Sequence, residues 1–153
     1  MNHELRIFKS SGLVQHYVDG QLRDEYAAEV GRNRQDKLRE GHEATPLGEF
    51  FVCAMNPCSQ FRRSLCLSYP NVWHAERGLR DGLIEQGEFD AILQALEGGR
   101  MPPQKTRLGG EIYLHGRSRP GTNGTRGCVA VDDAVIETLF ATLPLGTKVI
   151  IAP

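Results

Sequence analysis

Two short segments in the second half of the chain carry the residue types best suited to chemistry. In Glu111-Ile112-Tyr113-Leu114-His115-Gly116, strand alternation puts Ile112 and Leu114 on one face and Tyr113 with His115 on the other. In Thr125-Arg126-Gly127-Cys128-Val129-Ala130-Val131, it sends Val129 and Val131 inward and Cys128 to the opposite side. On neighbouring strands, Cys128 and His115 could therefore meet. A thiol titrates near about 8.5 and becomes an efficient nucleophile at neutral pH only when a histidine or a cation favours the thiolate. His115 would be that partner. Gly127 removes a side chain from beside the sulfur, so the Gly127 and Cys128 amides are expected to bind a developing oxyanion, with Arg126 adding positive charge. The polar loop Arg117-Ser118-Arg119-Pro120-Gly121-Thr122-Asn123-Gly124 suits a cleft wall. Flanking glycines, outward alternation at both positions and the polar loop set the pair apart from a buried cysteine beside an unrelated histidine.

The remaining elements must hold these two segments in place. Leu5 to Phe8 and Leu13 to Val18 read as strands about a Lys9-Ser10-Ser11-Gly12 turn, and Asp19-Gly20 is a hairpin signal before Leu22 to Val30. Glu49 to Met55 and Ser64 to Tyr69 read as a second hairpin across Asn56-Pro57-Cys58-Ser59. Its register would set Phe50 against Tyr69, Val52 against Leu67, Ala54 against Leu65 and Cys53 against Cys66. Cys53 and Cys66 would then be either a disulfide or two reduced small hydrophobes, and Cys58 a loop residue. Phe89, Ile92, Leu93 and Leu96 have helical spacing closed by Gly98-Gly99. Val135, Ile136, Leu139, Phe140 and Leu143 repeat it between Asp132-Asp133, either of which can cap, and Pro144. A weaker helix is expected around Ala75 to Ile84, and Thr147 to Ala152 reads as a strand. The sum is a mainly β protein with two or three packed helices.

With 153 residues, one substantial core and one domain over 1–153 are expected. Apolar residues at 40% and charged residues at 24% are those of a folding chain. A net charge of −1 supplies no field for gripping nucleic acid or an anionic bilayer, and no apolar run reaches the length of a membrane span. The amino terminus lacks the apolar stretch of a secretory signal, which leaves either an intracellular protein or an export segment removed from this sequence.

On Arg39 to Phe50, Leu67 to Asn71, Leu108 to Gly116 and Thr125 to Val131, the sequence resembles the YkuD-type L,D-transpeptidase catalytic domain, a cysteine peptidoglycan enzyme. The His-Gly and Thr-x-Gly-Cys pair is the specific part of the match. The resemblance implies a YkuD-like β-sandwich with Cys128 as nucleophile, His115 as general base and the Gly116 carbonyl orienting the imidazole. It implies no cofactor and no metal. The substrate would be a peptidoglycan stem tetrapeptide, cleaved at the carbonyl of its third residue, usually meso-diaminopimelate, with loss of D-alanine and a thioester on Cys128. An amine of a second stem, an envelope lipoprotein or water could resolve that thioester, and a non-catalytic peptidoglycan-binding module is the reading from another class. Tyr113, Arg126, Arg117, Arg119, Thr125 and Tyr69 are the expected substrate-binding residues. The place of action would be the bacterial cell envelope or periplasm, reached by an export signal outside this sequence or by a non-standard route. Where family members often carry His, this chain has Arg126, and where they carry Asn or Arg it has Ala130.

Other residues are expected to be structural. His42, His74 and Cys66 match no zinc spacing, Gly109-Gly110 lacks a nucleotide-loop context, and Trp73 is expected to pack rather than to serve as a sugar platform. Glu137 with Asp132-Asp133 fits helix-end electrostatics better than a catalytic carboxylate pair.

Overall fold

A computed structural model describes residues 1–59, 62–116 and 124–153. Its centre is an eight-stranded sheet that curls, in the order β3-β2-β1-β8-β4-β5-β6-β7. The strands are β1 (His3–Phe8), β2 (Leu13–Val18), β3 (Gln21–Ala27), β4 (Gly48–Ser59), β5 (Arg62–Leu67), β6 (Tyr113–His115), β7 (Val129–Ala130) and β8 (Lys148–Ala152), and the helices are α1 (Val72–Arg80), α2 (Gln86–Glu97) and α3 (Asp133–Thr142).

The opening meander forms as its turn residues dictate: Asp19 and Gly20 both hold positive φ at the β2–β3 turn. β1 then pairs in parallel with β8, which pairs antiparallel with the first half of β4. The second half of β4 pairs with β5, so this long strand passes from one half of the sheet to the other. Beyond β3 the chain crosses to the far edge, where Glu29 and Ala130 exchange backbone hydrogen bonds of 2.8 and 2.9 Å. The curl is thereby closed, and Leu5, Ile7, Val14, Phe50, Val52, Leu65, Leu114, Val129, Ile136 and Val149 fill it. Burying such a layer is the main stabilising term of the fold.

The second hairpin keeps the expected Val52–Leu67 pair, and the Phe50 and Tyr69 rings lie together as that register requires, 6.5 Å between centroids, but the Ala54–Leu65 and Cys53–Cys66 pairs do not form. A register shift between Val52 and Ala54 leaves Cys53 as the extra residue, so Ala54 faces Cys66 and Met55 faces Leu65. Cys53 and Cys66 are free thiols, the Cys53 thiol donating to the Cys66 carbonyl at 3.4 Å. The expected turn at Asn56 to Ser59 is also displaced. β4 runs on to Ser59, and the ladder shifts again between Asn56 and Ser59, across Pro57, which has no N–H to donate.

Helix α1 starts earlier than expected because Asn71 caps it, its side chain accepting from the Trp73 and His74 amides. Gly82, at φ +76°, takes the chain out of it. The expected packing role of Trp73 is wrong: on the outward face of that first turn it is 72% exposed. α2 carries a capping box formed by Glu85 and Glu88 and packs with α1 around Ala75, Ile84, Ile92 and Leu108. At α3 Asp132 takes the cap position without a side-chain cap bond, and Glu137 pairs with Arg63 at 2.8 Å.

Candidate active site

Cys128 stands where a tight loop enters β7. Gly127 precedes it at φ +139°, and a Cβ there would lie 3.0 Å from the Ala44 carbonyl oxygen and 3.2 Å from Ile112 Cδ1. Glycine is therefore required by close packing of the loop against the 44–45 backbone. Buried Thr45 holds that approach, donating to the Gly127 carbonyl at 2.8 Å and accepting from the Gly31 amide at 2.8 Å. Thr125 Oγ1 donates to the Cys128 carbonyl at 2.6 Å and accepts from the Gly127 amide at 3.1 Å. The Gly127 N–H is thus already engaged, which corrects its expected role as an oxyanion donor and leaves the Cys128 amide as the candidate. Thr125 shapes the loop.

The parallel register sets Leu114 against Val129 and His115 against Ala130. Tyr113 accordingly flanks Cys128, and its amide donates to Sγ at 3.4 Å. His115 shares that face, displaced by two residues, about 7 Å of strand rise. The half-buried thiol donates to the Glu111 carbonyl at 3.4 Å, and no hydrogen bond joins it to the imidazole in this arrangement. His115 is buried, with Nδ1 2.6 Å from the Gly116 carbonyl. A carbonyl can only accept, so Nδ1 carries the hydrogen and Nε2 is the basic nitrogen.

The electrostatics describe a neutral pair. Burial pushes the Cys128 thiol above its ordinary range, opposed by the Tyr113 amide and the Lys37 ammonium. Burial lowers the His115 imidazole, opposed by its bond to Gly116. A thiol held up and an imidazole held down do not exchange a proton at rest. The transfer would accompany nucleophilic attack.

A cleft of about 520 Å³ opens over the sulfur, lined by Cys128, Arg126, Lys37, Glu40, Glu111 and Gly110 among others. Of the expected substrate-binding residues, Arg126 lies exposed on this cleft and Tyr113 is half-buried beside the sulfur. Arg117 and Arg119 lie outside the described residues. Tyr69 must be corrected: it is fully buried, its hydroxyl donates to the Leu108 carbonyl at 2.7 Å, and it presents nothing to a ligand. Burial raises that phenol to well above its usual value. His42 and His74 are structural, the first accepting from the Leu38 amide at 3.1 Å and the second 3.0 Å from Asp36.

Lys37, like Thr45, is a residue whose role sequence reasoning missed. It is 4% exposed and lines the cleft with Cys128. A lone lysine in a polar stretch gives no periodic signal. Its proximity to Cys128 arises from the closure of the sheet, which no local pattern encodes.

The sequence matches the YkuD family, described as the L,D-transpeptidase catalytic domain, over residues 3–151. The chain belongs to the YkuD family. Solved structures share the fold at low sequence identity. An L,D-transpeptidase from Xylanimonas cellulosilytica aligns with 18% identity and a TM-score of 0.59, covering 98% of this chain and 60% of its own. One from Mycobacterium smegmatis gives 12% identity and 0.60 over 99% and 59%. The helical cell shape determining protein of Campylobacter jejuni gives 19% identity and 0.59 over 98% and 48%. This YkuD chain thus spans about half to three-fifths of the length of those proteins. No curated protein sequence matches it. Among the described residues, no helix is long and apolar enough to cross a membrane.

Proposed function

We propose that this YkuD domain, over 1–153, is a cysteine L,D-transpeptidase acting on peptidoglycan stem tetrapeptides in the bacterial cell envelope. The observation that carries the reading is Cys128 on an open cleft, sharing a strand face with a buried histidine whose tautomer is fixed by the next carbonyl.

In the proposed cycle the donor peptide displaces the Glu111 contact and the sulfur turns toward His115. Sγ attacks the carbonyl of the third residue while Nε2 takes the thiol proton. The Cys128 amide binds the oxyanion as the carbonyl carbon becomes tetrahedral. Collapse breaks the C–N bond, the imidazolium returns the proton to the departing D-alanine amine, and a thioester remains. An acceptor amine or water then attacks the thioester, losing its proton to His115, and the thiol is regenerated. Arg126 on the cleft rim would meet a substrate carboxylate.

Incubation with tetrapeptide muropeptides, followed by mass spectrometry, tests the reading. D-alanine loss is expected, and it should vanish in Cys128→Ala while circular dichroism is unchanged. Dimers report transpeptidation and free tripeptide alone reports carboxypeptidase action. Binding without D-alanine loss would overturn the enzyme in favour of a binding module, the reading that the raised thiol favours.

A further inference from the structure

Two lysines of this chain are buried almost completely, and their surroundings differ. Lys9, 1% exposed, donates to the carbonyls of Gln35 at 2.7 Å and Thr45 at 2.6 Å. Such acceptors are what a buried ammonium normally requires. Lys37, 4% exposed, has no hydrogen-bond acceptor for its ammonium among the described residues, although its Nζ lies 5.9 Å from the centre of the Tyr69 ring. It lines the same cleft as Cys128.

The chain builds this position on purpose-fitted neighbours. The Lys37 carbonyl accepts from Arg77 Nη2 at 2.7 Å, anchoring the backbone. A Cβ at Gly109 would lie 3.2 Å from Lys37 Cε, so the glycine at φ +86° makes room for the stem. The other cations of the cleft differ in kind: Arg32 is paired with Glu43 at 2.7 Å, and Lys105 and Arg126 are exposed. Lys37 alone among them is a largely buried cation that reaches the cleft with no protein acceptor for its ammonium among the described residues, and a partly desolvated charge of that kind binds an anion more strongly than one in open water.

We propose that Lys37 is a carboxylate-binding subsite of the Cys128 cleft, seating a free carboxylate of the peptide donor beside the thiol. This rests on the cleft being the acyl-donor site. It assigns specificity for acidic donors to a residue on the cleft floor, with Arg126 on the rim as a secondary contact. Burial lowers the ammonium below its ordinary range while Cys128 and Glu40 raise it, so a bound carboxylate would restore what burial removes. The carboxylate could come from the end of the chain or from a donor side chain, and the two sources are separable.

The test compares alkylation of Cys128 by iodoacetate and iodoacetamide, read by peptide mass spectrometry, and so does not depend on peptidoglycan turnover. Relative to a free cysteine peptide, the wild type should favour the anionic reagent by about tenfold, the scale of a hydrogen bond to a charged group. Lys37→Met should abolish that preference and Lys37→Arg should retain part of it. In the wild type alone, N-acetyl-D-alanine should protect Cys128 from iodoacetamide and its amide should not, if the terminal carboxylate is the one bound. Protection by the side-chain acid of N-acetyl-D-glutamic α-amide would assign the other source. An unchanged reagent ratio in a folded Lys37→Met protein would overturn the subsite, as would equal protection by acids and amides in the wild type. Lys37 would then act on the thiol alone. Absence of D-alanine release with the reagent preference intact would instead overturn the transpeptidase reading and leave the subsite standing.

Discussion

Replacing Asp36 by Ala would remove the carboxylate that ties the cleft segment to helix α1, and the structure sets the size of the loss. Asp36 accepts from the Leu47 amide at 2.8 Å, from His74 Nε2 at 3.0 Å and from Arg77 Nη1 at 3.0 Å. Arg77 is partly exposed and keeps the Lys37 carbonyl, so its share is small. His74 is 2% exposed and its Nδ1 already lacks a partner, so losing the Nε2 contact leaves a buried ring with no hydrogen bond. An orphaned buried donor costs about 1–3 kcal/mol, and with the half-buried Leu47 amide the total comes to about 3 kcal/mol. In urea unfolding, a slope of about 2 kcal/mol/M converts this into a midpoint about 1.5 M lower. The pH dependence gives a second reading. Burial raises the Asp36 carboxyl, but the bonds from His74, Leu47 and Arg77 outweigh it and hold the group well below the usual carboxylate range. A native-state value below the unfolded one stabilises the fold above about pH 4, and the contribution is lost as the pH falls through the native value. The gap between wild type and Asp36→Ala should therefore narrow in acid. A loss under about 1 kcal/mol at pH 7, or a gap independent of pH, would refute the reasoning.

Further expectations concern the nucleophile and its loop. Because burial raises the Cys128 thiol, its alkylation by iodoacetamide should keep rising with pH beyond the ordinary thiol range of about 8.5; a plateau below pH 7 would contradict the neutral-pair description. Gly127→Ala should cost about 1–3 kcal/mol in thermal or urea unfolding, from strain at φ +139° and the Ala44 contact, and an unshifted midpoint would contradict this. Thr45→Val should cost about 2 kcal/mol by leaving the Gly31 amide and Gly127 carbonyl without their shared partner, and should slow Cys128 alkylation as the loop loosens. Equal stability and equal reactivity would count against Thr45 as the support of the nucleophile loop.

The site was legible in the sequence where period-2 alternation carried the information. Ile112, Leu114, Val129 and Val131 are buried as alternation demands, and this places Tyr113, His115 and Cys128 on the opposite side of their strands. The helices at 86–97 and 133–142 follow from apolar spacing and from the residues that stop them, Gly98-Gly99 and Pro144. Alternation fails where the backbone departs from it. The extra residue at Cys53 and the missing N–H of Pro57 shift the hairpin register, and neither shift can be counted from apolar spacing. Trp73 was misplaced because hydrophobicity favours burial on average, whereas the Asn71 cap fixes the phase of α1 and turns position 73 to solvent. Lys37 and Thr45 were beyond sequence reading for a different reason. Their partners on the cleft and the nucleophile loop are distant in the chain and meet only through sheet closure.

The most direct measurement of the account is the intact mass of the protein during turnover of a tetrapeptide donor, with the modified residue mapped by fragmentation. The account predicts a transient adduct equal to the donor less D-alanine, carried on Cys128 and absent from Cys128→Ala. D-alanine release that persists in Cys128→Ala, or an acyl group mapped to any other residue, would contradict it.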